Sequence, residues 1–228
     1  MSSLPLVIVV AGPTGSGKSE LALRLARDLD GEIVSCDSVQ VYRRFNIGSA
    51  KLALEDRRGI QHHLIDVVEP DAEYTAGEYS RNARQALAEI AARGRVGIVT
   101  GGTGFYLTAL LEGLFPGPEK DDKLRERLSA IERNRPGGLH RILQRMDPDS
   151  AARIHPNDVN KVMRALEVTL LGGQPMSEQF QAGRDRLTGF RILKFGLNPD
   201  RQQLYERIEE RTRRMFAEGL IEETRAIL

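Results

Sequence analysis

Residues 12–19 read GPTGSGKS: glycine, four residues, glycine, lysine, serine. Each part of that spacing has a task in holding a chain of phosphates. Gly12 and Gly17 permit a tight turn and close backbone approach, and Pro13 and Thr14 complete the loop. The backbone N–H groups of Gly15, Ser16, Gly17 and Lys18 can converge on one anion, assisted by the start of a helix. Lys18 brings a positive charge, and the Ser19 hydroxyl suits the shell of a Mg²⁺ ion. The pattern commonly advertises nucleotide binding, ATP above all. The loop itself reads only a diphosphate or longer and is blind to the base.

Two further segments carry reactive groups at the ends of apolar runs. CDSVQVYR places Asp37 just after EIVSC, where a carboxylate can serve as general base, help orient Mg²⁺, or simply cap a following turn. VGIVT runs into GGTG, offering the Thr103 hydroxyl beside glycines that let a ligand or another backbone come close. A simple ATPase needs an acid at the end of such a run to hold metal and water. VGIVT ends in threonine, and the nearest alternative, Asp66 in LIDVV, is followed by more apolar residues. His62 and His63 alternate faces as strand neighbours and cannot share a metal, and no His-Glu-x-x-His spacing occurs, so all four histidines are expected to be structural. The single cysteine, Cys36, excludes a disulfide framework and reads as core packing. Lys51, in IGSAKL, is expected either to reach a phosphate or to stand in solvent. Farther on, HPNDVNKVMRALEV predicts a long helix capped by Asn157 or Asp158. On it Lys161 and Arg164 share a face, and Arg164 stands three residues from Glu167.

These groups need a rigid frame, and the first half supplies the pattern of one. Continuous apolar runs at 6–11, 32–36, 63–68 and 96–100 read as buried strands. Helical spacing over 18–29 and 78–93, and again after GGTG, alternates with them. Strand alternating with helix predicts an α/β fold, a P-loop doubly wound, mostly parallel sheet. PGPEKDD marks a boundary, followed by helical stretches without a strand. FRILKFGL (190–197) returns as a strand expected to rejoin the sheet, followed by an Arg/Glu-rich helix. The expected division is therefore a core of residues 1–117, a helical insertion of 118–189, and a return to the core at 190–228. The pattern stops at ETRAIL inside a helix, as expected of a chain cut short.

At 228 residues with 40% apolar and 29% charged side chains, the composition is that of an ordinary globular protein. No run is long enough to span a bilayer, and MSSLPLVIVVAG lacks the basic start of a signal peptide, so a cytoplasmic protein is expected. Net charge is +1 overall, but residues 119–191 hold 14 Lys/Arg against 11 Asp/Glu, an excess compatible with a polyanion. Aromatic residues are only 5%, with no Trp, so a broad base-stacking platform is not expected.

Taken together and in order, GPTGSGKS, DSVQVYR, GGTGFYL and HPNDVNKVMRALEV resemble the signatures of the tRNA dimethylallyltransferases, also called tRNA isopentenyltransferases. HHLIDVVEP and IGSAK fit the same pattern, and the resemblance runs from Pro5 to the last residue. It implies transfer of a dimethylallyl group from dimethylallyl diphosphate to N6 of the adenine 3′-adjacent to the anticodon. The phosphate loop would then hold the donor's diphosphate, with Lys18 and Mg²⁺, Ser19 in its shell, steadying the departing group. Asp37 would be the base on N6. Ser38, Val39 and Gln40 would lie against a flipped-out adenine, with Thr103 a further substrate contact. Asn160, Lys161 and Arg164 fall where the family touches the tRNA anticodon stem-loop. The expected assembly is a monomer. Other classes consistent with the loop are a small-molecule kinase, a diphosphate-binding module without turnover, and an adenylate isopentenyltransferase acting on free nucleotide.

Overall fold

The computed structural model describes residues 4–115, 117–181 and 185–228. Pro116, which opens the PGPEKDD boundary, and residues 182–184 of the expected insertion lie outside the described residues. The chain divides into two compact units, Met1–Gly113 with Arg186–Leu228, and Leu114–Asp185.

In the first unit, five parallel strands form one sheet: β1 (Leu6–Ala11), β2 (Gly31–Ser35), β3 (His62–His63), β4 (Val96–Gly101) and β5 (Arg191–Gly196), in the order β3-β2-β4-β1-β5. Strand alternation sends Ile8, Val10, Ile33 and Ile98 to one face. They pack there with Ala22, Leu23 and Ala26 of α1 (Lys18–Asp28). The opposite face is covered by α2 (Ala76–Ala92), whose Tyr79, Ala83, Leu87 and Ile90 are buried, and against α2 packs α3 (Gly104–Leu111). Gly97 makes room for this packing: a Cβ there would stand 2.5 Å from Leu87 Cδ2, and the leucine side chain would have to shift. α2 begins with a capping box: Thr75 Oγ1 accepts from Glu78 N at 3.2 Å, and Thr75 N donates to Glu78 Oε2 at 2.7 Å. β5 pairs with β1 over six residues, Leu6 with Arg191 through Ala11 with Gly196, and so rejoins the sheet as its edge. After it come α9 (Arg201–Ala217) and α10 (Leu220–Ile227).

The apolar run at 63–68 does not make a full strand. Only His62 and His63 pair with β2, because Leu64 and Asp66 adopt positive φ (62° and 57°), which no extended strand accommodates. A single bridge, Tyr42 to Val68, follows. Of the histidines expected to be structural, His62 and His63 make bonds within the fold, and His62 also lines the cleft that contains Lys18 and Asp37. His62 Nδ1 lies 2.8 Å from Ile60 O, and His63 Nε2 lies 2.7 Å from the buried Glu32. Lys51 is neither solvated nor free for phosphate: its amine is buried, bonded to Tyr42 O and, at 2.7 Å, to Asp66 Oδ1.

The second unit contains α4 (Asp122–Asn134), α5 (Gly138–Met146), α6 (Pro148–Arg153), α7 (Val159–Gly172) and α8 (Met176–Gln181). Leu128, Leu139, Leu143, Ala151, Val162, Ala165 and Leu166 form its core. Asp121, Asp147 and Asp158 each cap the helix that follows. Among the described residues, no helix is long and apolar enough to cross a membrane.

Candidate active site

The phosphate loop connects β1 to α1, and its backbone takes the form its glycines allow. Gly15 and Gly17 have φ of +81° and +87°, the left-handed region where side chains are strained. Gly17 is the N-cap of α1 and offers no side-chain oxygen to the helix start. The first-turn N–H groups of α1 thus lack an internal acceptor and face outward with the positive end of the helix dipole. Gly12 cannot carry a side chain, because its Cβ would meet Leu197 O at 2.8 Å.

Lys18 folds back over the loop, and its Nζ donates to Pro13 O at 2.7 Å. Partial burial pushes its pKa down, the Asp37 carboxylate pulls it back up, and Arg211 adds a further downward push. An amine so placed gains from the arrival of phosphate charge.

Asp37 sits where β2 ends, and it closes the turn its sequence context allowed. Its Oδ1 accepts from Val39 N at 2.9 Å and Gln40 N at 3.2 Å, closing a turn. Its other oxygen takes no hydrogen bond from the described residues. β4 ends alongside. A Cβ on Gly101 would stand 2.0 Å from the carbonyl oxygen of Cys36, so the contact between the ends of β2 and β4 demands glycine there. Thr103 stitches the same ends together: Ser38 N donates to Thr103 Oγ1 at 3.0 Å, and Thr103 N donates to Cys36 O at 3.2 Å. Gln40 is held on both sides, accepting from Ser35 Oγ at 3.2 Å and donating to Ser49 O at 3.2 Å. Val39 is 43% exposed at the rim.

Lys18, Ser19, Asp37, Gln40, Thr100 and Arg211 line one cleft of about 110 Å³. On the cleft wall, the buried Thr100 Oγ1 lacks a partner among the described residues, which is the condition of a group that awaits a ligand or water. For Mg²⁺, the donors present are hard oxygens: the Ser19 hydroxyl, the uncommitted Asp37 oxygen and the Thr100 hydroxyl. No group of three or more His, Cys, Asp or Glu that could hold a metal occurs among the described residues. Mg²⁺ held by such oxygens would keep several waters and rely on one or two protein oxygens plus substrate phosphates.

Arg211 was not legible as a site residue in a helix that reads as solvated Arg and Glu. The available signal is its register. Leu204, Ile208 and Met215 form the half-buried stripe of α9, and Arg211 occupies the same stripe. The packing of α9 on the phosphate loop explains why: a Cβ on Gly15 would lie 3.3 Å from Ile208 Cγ1 and 3.4 Å from Leu204 Cδ1. Arg211 has no ion-pair partner among the described residues and points a fixed charge at the cleft. A larger cavity, about 1090 Å³, lies between residues 46–57 and α9 and shares Arg211, Ala50 and Leu52 with the cleft. Only the smaller one contains Lys18, Ser19 and Asp37 together.

In the second unit, Asn160, Lys161 and Arg164 lie on the first turns of α7. Lys161 is exposed and bonds Asp158 at 2.6 Å. Arg164 bonds Glu167 Oε2 at 2.6 Å and Pro118 O at 2.9 Å. Glu167 is fully buried and also takes a bidentate pair from Arg125 at 2.8 and 3.0 Å. Burial pushes the Glu167 carboxyl up, but the bonds from Arg125, Arg164 and the Asp121 N–H outweigh it and hold it at about 2.

Comparison with known proteins agrees with the motif resemblance. Residues 40–228 match the family described as IPP transferase. The chain is 62% identical over 225 residues to the tRNA dimethylallyltransferase of Solibacter usitatus, spanning 99% of this chain and 73% of that protein. It is 56% identical to that of Koribacter versatilis, spanning 98% and 73%. A crystal structure of the full-length tRNA isopentenylpyrophosphate transferase of Bacillus halodurans superposes with a TM-score of 0.66 at 35% identity, covering 97% of this chain and 69% of that one. A eukaryotic dimethylallyltransferase captured acting on tRNA superposes at 0.83 with 32% identity, covering 98% and 56%. A phosphate loop facing an uncommitted aspartate, in a sheet whose fourth strand ends in glycine instead of an acid, therefore belongs to a member of the IPP transferase family.

Proposed function

We propose that this protein transfers a dimethylallyl group from dimethylallyl diphosphate to N6 of the adenine 3′-adjacent to the anticodon of tRNA. The observation that carries this reading is the shared cleft of Lys18, Ser19, Asp37 and Arg211: a diphosphate cradle opposite a carboxylate with one oxygen uncommitted. The C1–O bond of an allylic diphosphate breaks with charge building on the leaving oxygen. The loop N–H groups, Lys18 and Arg211 are fixed before reaction where that charge develops. The bond from C1 forms to the adenine N6, an amine too weakly nucleophilic to dispense with a base. Asp37 takes the N6 proton on the oxygen its turn leaves open. Mg²⁺, held through the Ser19 hydroxyl, would supply further charge neutralisation to the diphosphate.

Thr103 and Gln40 act in this reading by holding Asp37 and Ser38 in place, through bonds made within the chain. The target adenine must leave its stack to reach a cleft of this depth. Asn160, Lys161 and Arg164 contribute contacts to the tRNA backbone, with Arg164 giving up its pairing to Glu167 only in part. A site of this kind fits the cytoplasm, where tRNA is modified.

The test is direct. The protein is incubated with dimethylallyl diphosphate, Mg²⁺ and unmodified tRNA whose anticodon is followed by adenines. The digested RNA is then examined by mass spectrometry. One adenosine bearing a dimethylallyl mass is expected. An unchanged adenosine with ATP consumed in a parallel reaction would replace this reading with a kinase.

A further inference from the structure

The IGSAK segment has no role in the chemistry above, yet it is among the most heavily bonded loops of the first unit. Three successive backbone N–H groups, those of Asn46, Ile47 and Gly48, donate to one carboxylate, that of Glu223 on α10, at 2.8, 2.7 and 2.9 Å. Such a run of N–H groups is an anion nest, here filled by the chain's own acid. The approach is prepared on both sides. Gly219, with φ of +101°, turns the chain from α9 into α10, and Glu223 N donates back to Gly219 O at 2.9 Å. Gly48 faces Leu220 so closely that a Cβ there would stand 3.2 Å from Leu220 Cδ1.

The loop continues directly into the cleft. Ser49 and Ala50 line it, and their carbonyls accept from the Gln40 amide at 3.2 and 3.5 Å. Gln40 is in turn the fourth residue of the turn that Asp37 closes. Lys51, next in sequence, is anchored to Asp66. Residues 46–51 are thus gripped from outside by Glu223 and from inside by Gln40, and the grip ends on the turn that aims Asp37.

We infer that Glu223 is a positioning residue for transfer: through the 46–48 nest it fixes the wall of the cleft on the Asp37–Gln40 side. It touches neither donor nor acceptor. The inference rests on the prenyl-transfer reading for its kinetic consequence, but its structural content stands independently.

The test uses Glu223→Gln in the full chain, with Glu222→Gln as a neighbour that makes no bond to the loop. Removing the charge from a carboxylate with three N–H donors is expected to lower kcat/KM for tRNA about tenfold. KM for dimethylallyl diphosphate should stay within about twofold, because the phosphate loop is not gripped by Glu223. A variant that merely lost folded protein would lower apparent kcat and leave the KM values of both substrates unchanged. Combining Glu223→Gln with Gln40→Ala should cost less than the sum of the two, since both release one loop. Hydrogen–deuterium exchange supplies a readout that does not depend on activity. In Glu223→Gln, amides of 46–50 should exchange at least about tenfold faster while those of 12–19 do not change. Unchanged exchange at 46–50, or additive effects with Gln40→Ala, would overturn the inference. If the variant fails to fold, the wild-type amides of 46–48 decide it, because exchange as fast as that of an open loop is incompatible with the grip. Failure of the wild type to modify tRNA counts against the proposed function alone, and the exchange result still judges Glu223.

Discussion

Replacing Asp37 with asparagine separates the two tasks its carboxylate performs. The turn needs only an acceptor at the Oδ1 position for Val39 N at 2.9 Å and Gln40 N at 3.2 Å, and an amide oxygen supplies one. Bonds to a charged acceptor are worth about 1.5–3 kcal/mol and neutral ones about 0.5–1.5. With the site partly open to water, the loss on going to asparagine should stay within about 1 kcal/mol. Alanine removes the cap entirely and should cost about 1–2 kcal/mol. In a chain of this size that corresponds to a fall in melting temperature of about 2–8 °C. Catalysis should order differently. Both variants remove the base, which contributes roughly 10²–10⁴-fold, so kcat should fall by that factor in each, equally to within a few-fold. The assay pairs thermal melts with single-turnover transfer to tRNA, read by mass spectrometry of the digested product. An asparagine variant that keeps full kcat would remove Asp37 from the role of base. Equal melting temperatures for asparagine and alanine would show that the turn does not depend on the cap.

Other consequences are equally open to measurement. Arg211→Gln should raise KM for dimethylallyl diphosphate about tenfold or more, the scale of a lost charge-assisted bond to phosphate; steady-state kinetics with an unaltered donor KM would refute its place in the cleft. Gly101→Ala should destabilise the fold by about 3 kcal/mol or more, because its Cβ would lie 2.0 Å from Cys36 O and both neighbours are backbone; a melt within 2 °C of wild type, well under about 1 kcal/mol, would contradict that contact. Glu167 is held at about 2 in the fold against roughly 4.3 unfolded, so its contribution is fully present above about pH 4.5 and is lost as pH falls toward 2. At roughly 1.36 kcal/mol per pKa unit this is about 3 kcal/mol. Glu167→Gln should flatten that part of the acid-unfolding curve, and an unchanged curve would show the network with Arg125 and Arg164 to be unimportant.

Much of the frame was legible because its signals are local. The runs at 6–11, 32–36 and 96–100 are strands buried on both faces and need no knowledge of their neighbours to be read as such. The run at 63–68 looked the same, yet two residues at positive φ end it after two positions, and no apolar count reports a backbone angle. Lys51 was read as facing solvent or phosphate because its partner, Asp66, is fifteen residues away and reaches it only through that same irregular turn. Asp37 was legible as an ambiguity, base or cap; the structure shows the cap, made by one oxygen, and leaves the other open for the proposed base role. Arg211 and Glu223 escaped notice because their meaning is purely tertiary. Arg211 on α9 reaches the phosphate loop, and Glu223 on α10 the 46–48 loop, only because β5 pairs with β1 and sets where these helices follow.

That pairing has a consequence for how the chain tolerates change. The excursion into the second unit leaves the sheet after α3 and returns at a narrow stem, where Leu187 N donates to Leu111 O at 3.0 Å and Arg186 faces Glu112. Past the stem, the backbone ladder between β1 and β5 dictates where α9 begins, irrespective of what was traversed in between. Leu114–Asp185 can therefore be lengthened, shortened or exchanged for another helical unit without resetting the distance between Arg211 and Lys18. If the proposed roles hold, selection on RNA contacts and selection on leaving-group chemistry act on separately replaceable stretches of one gene.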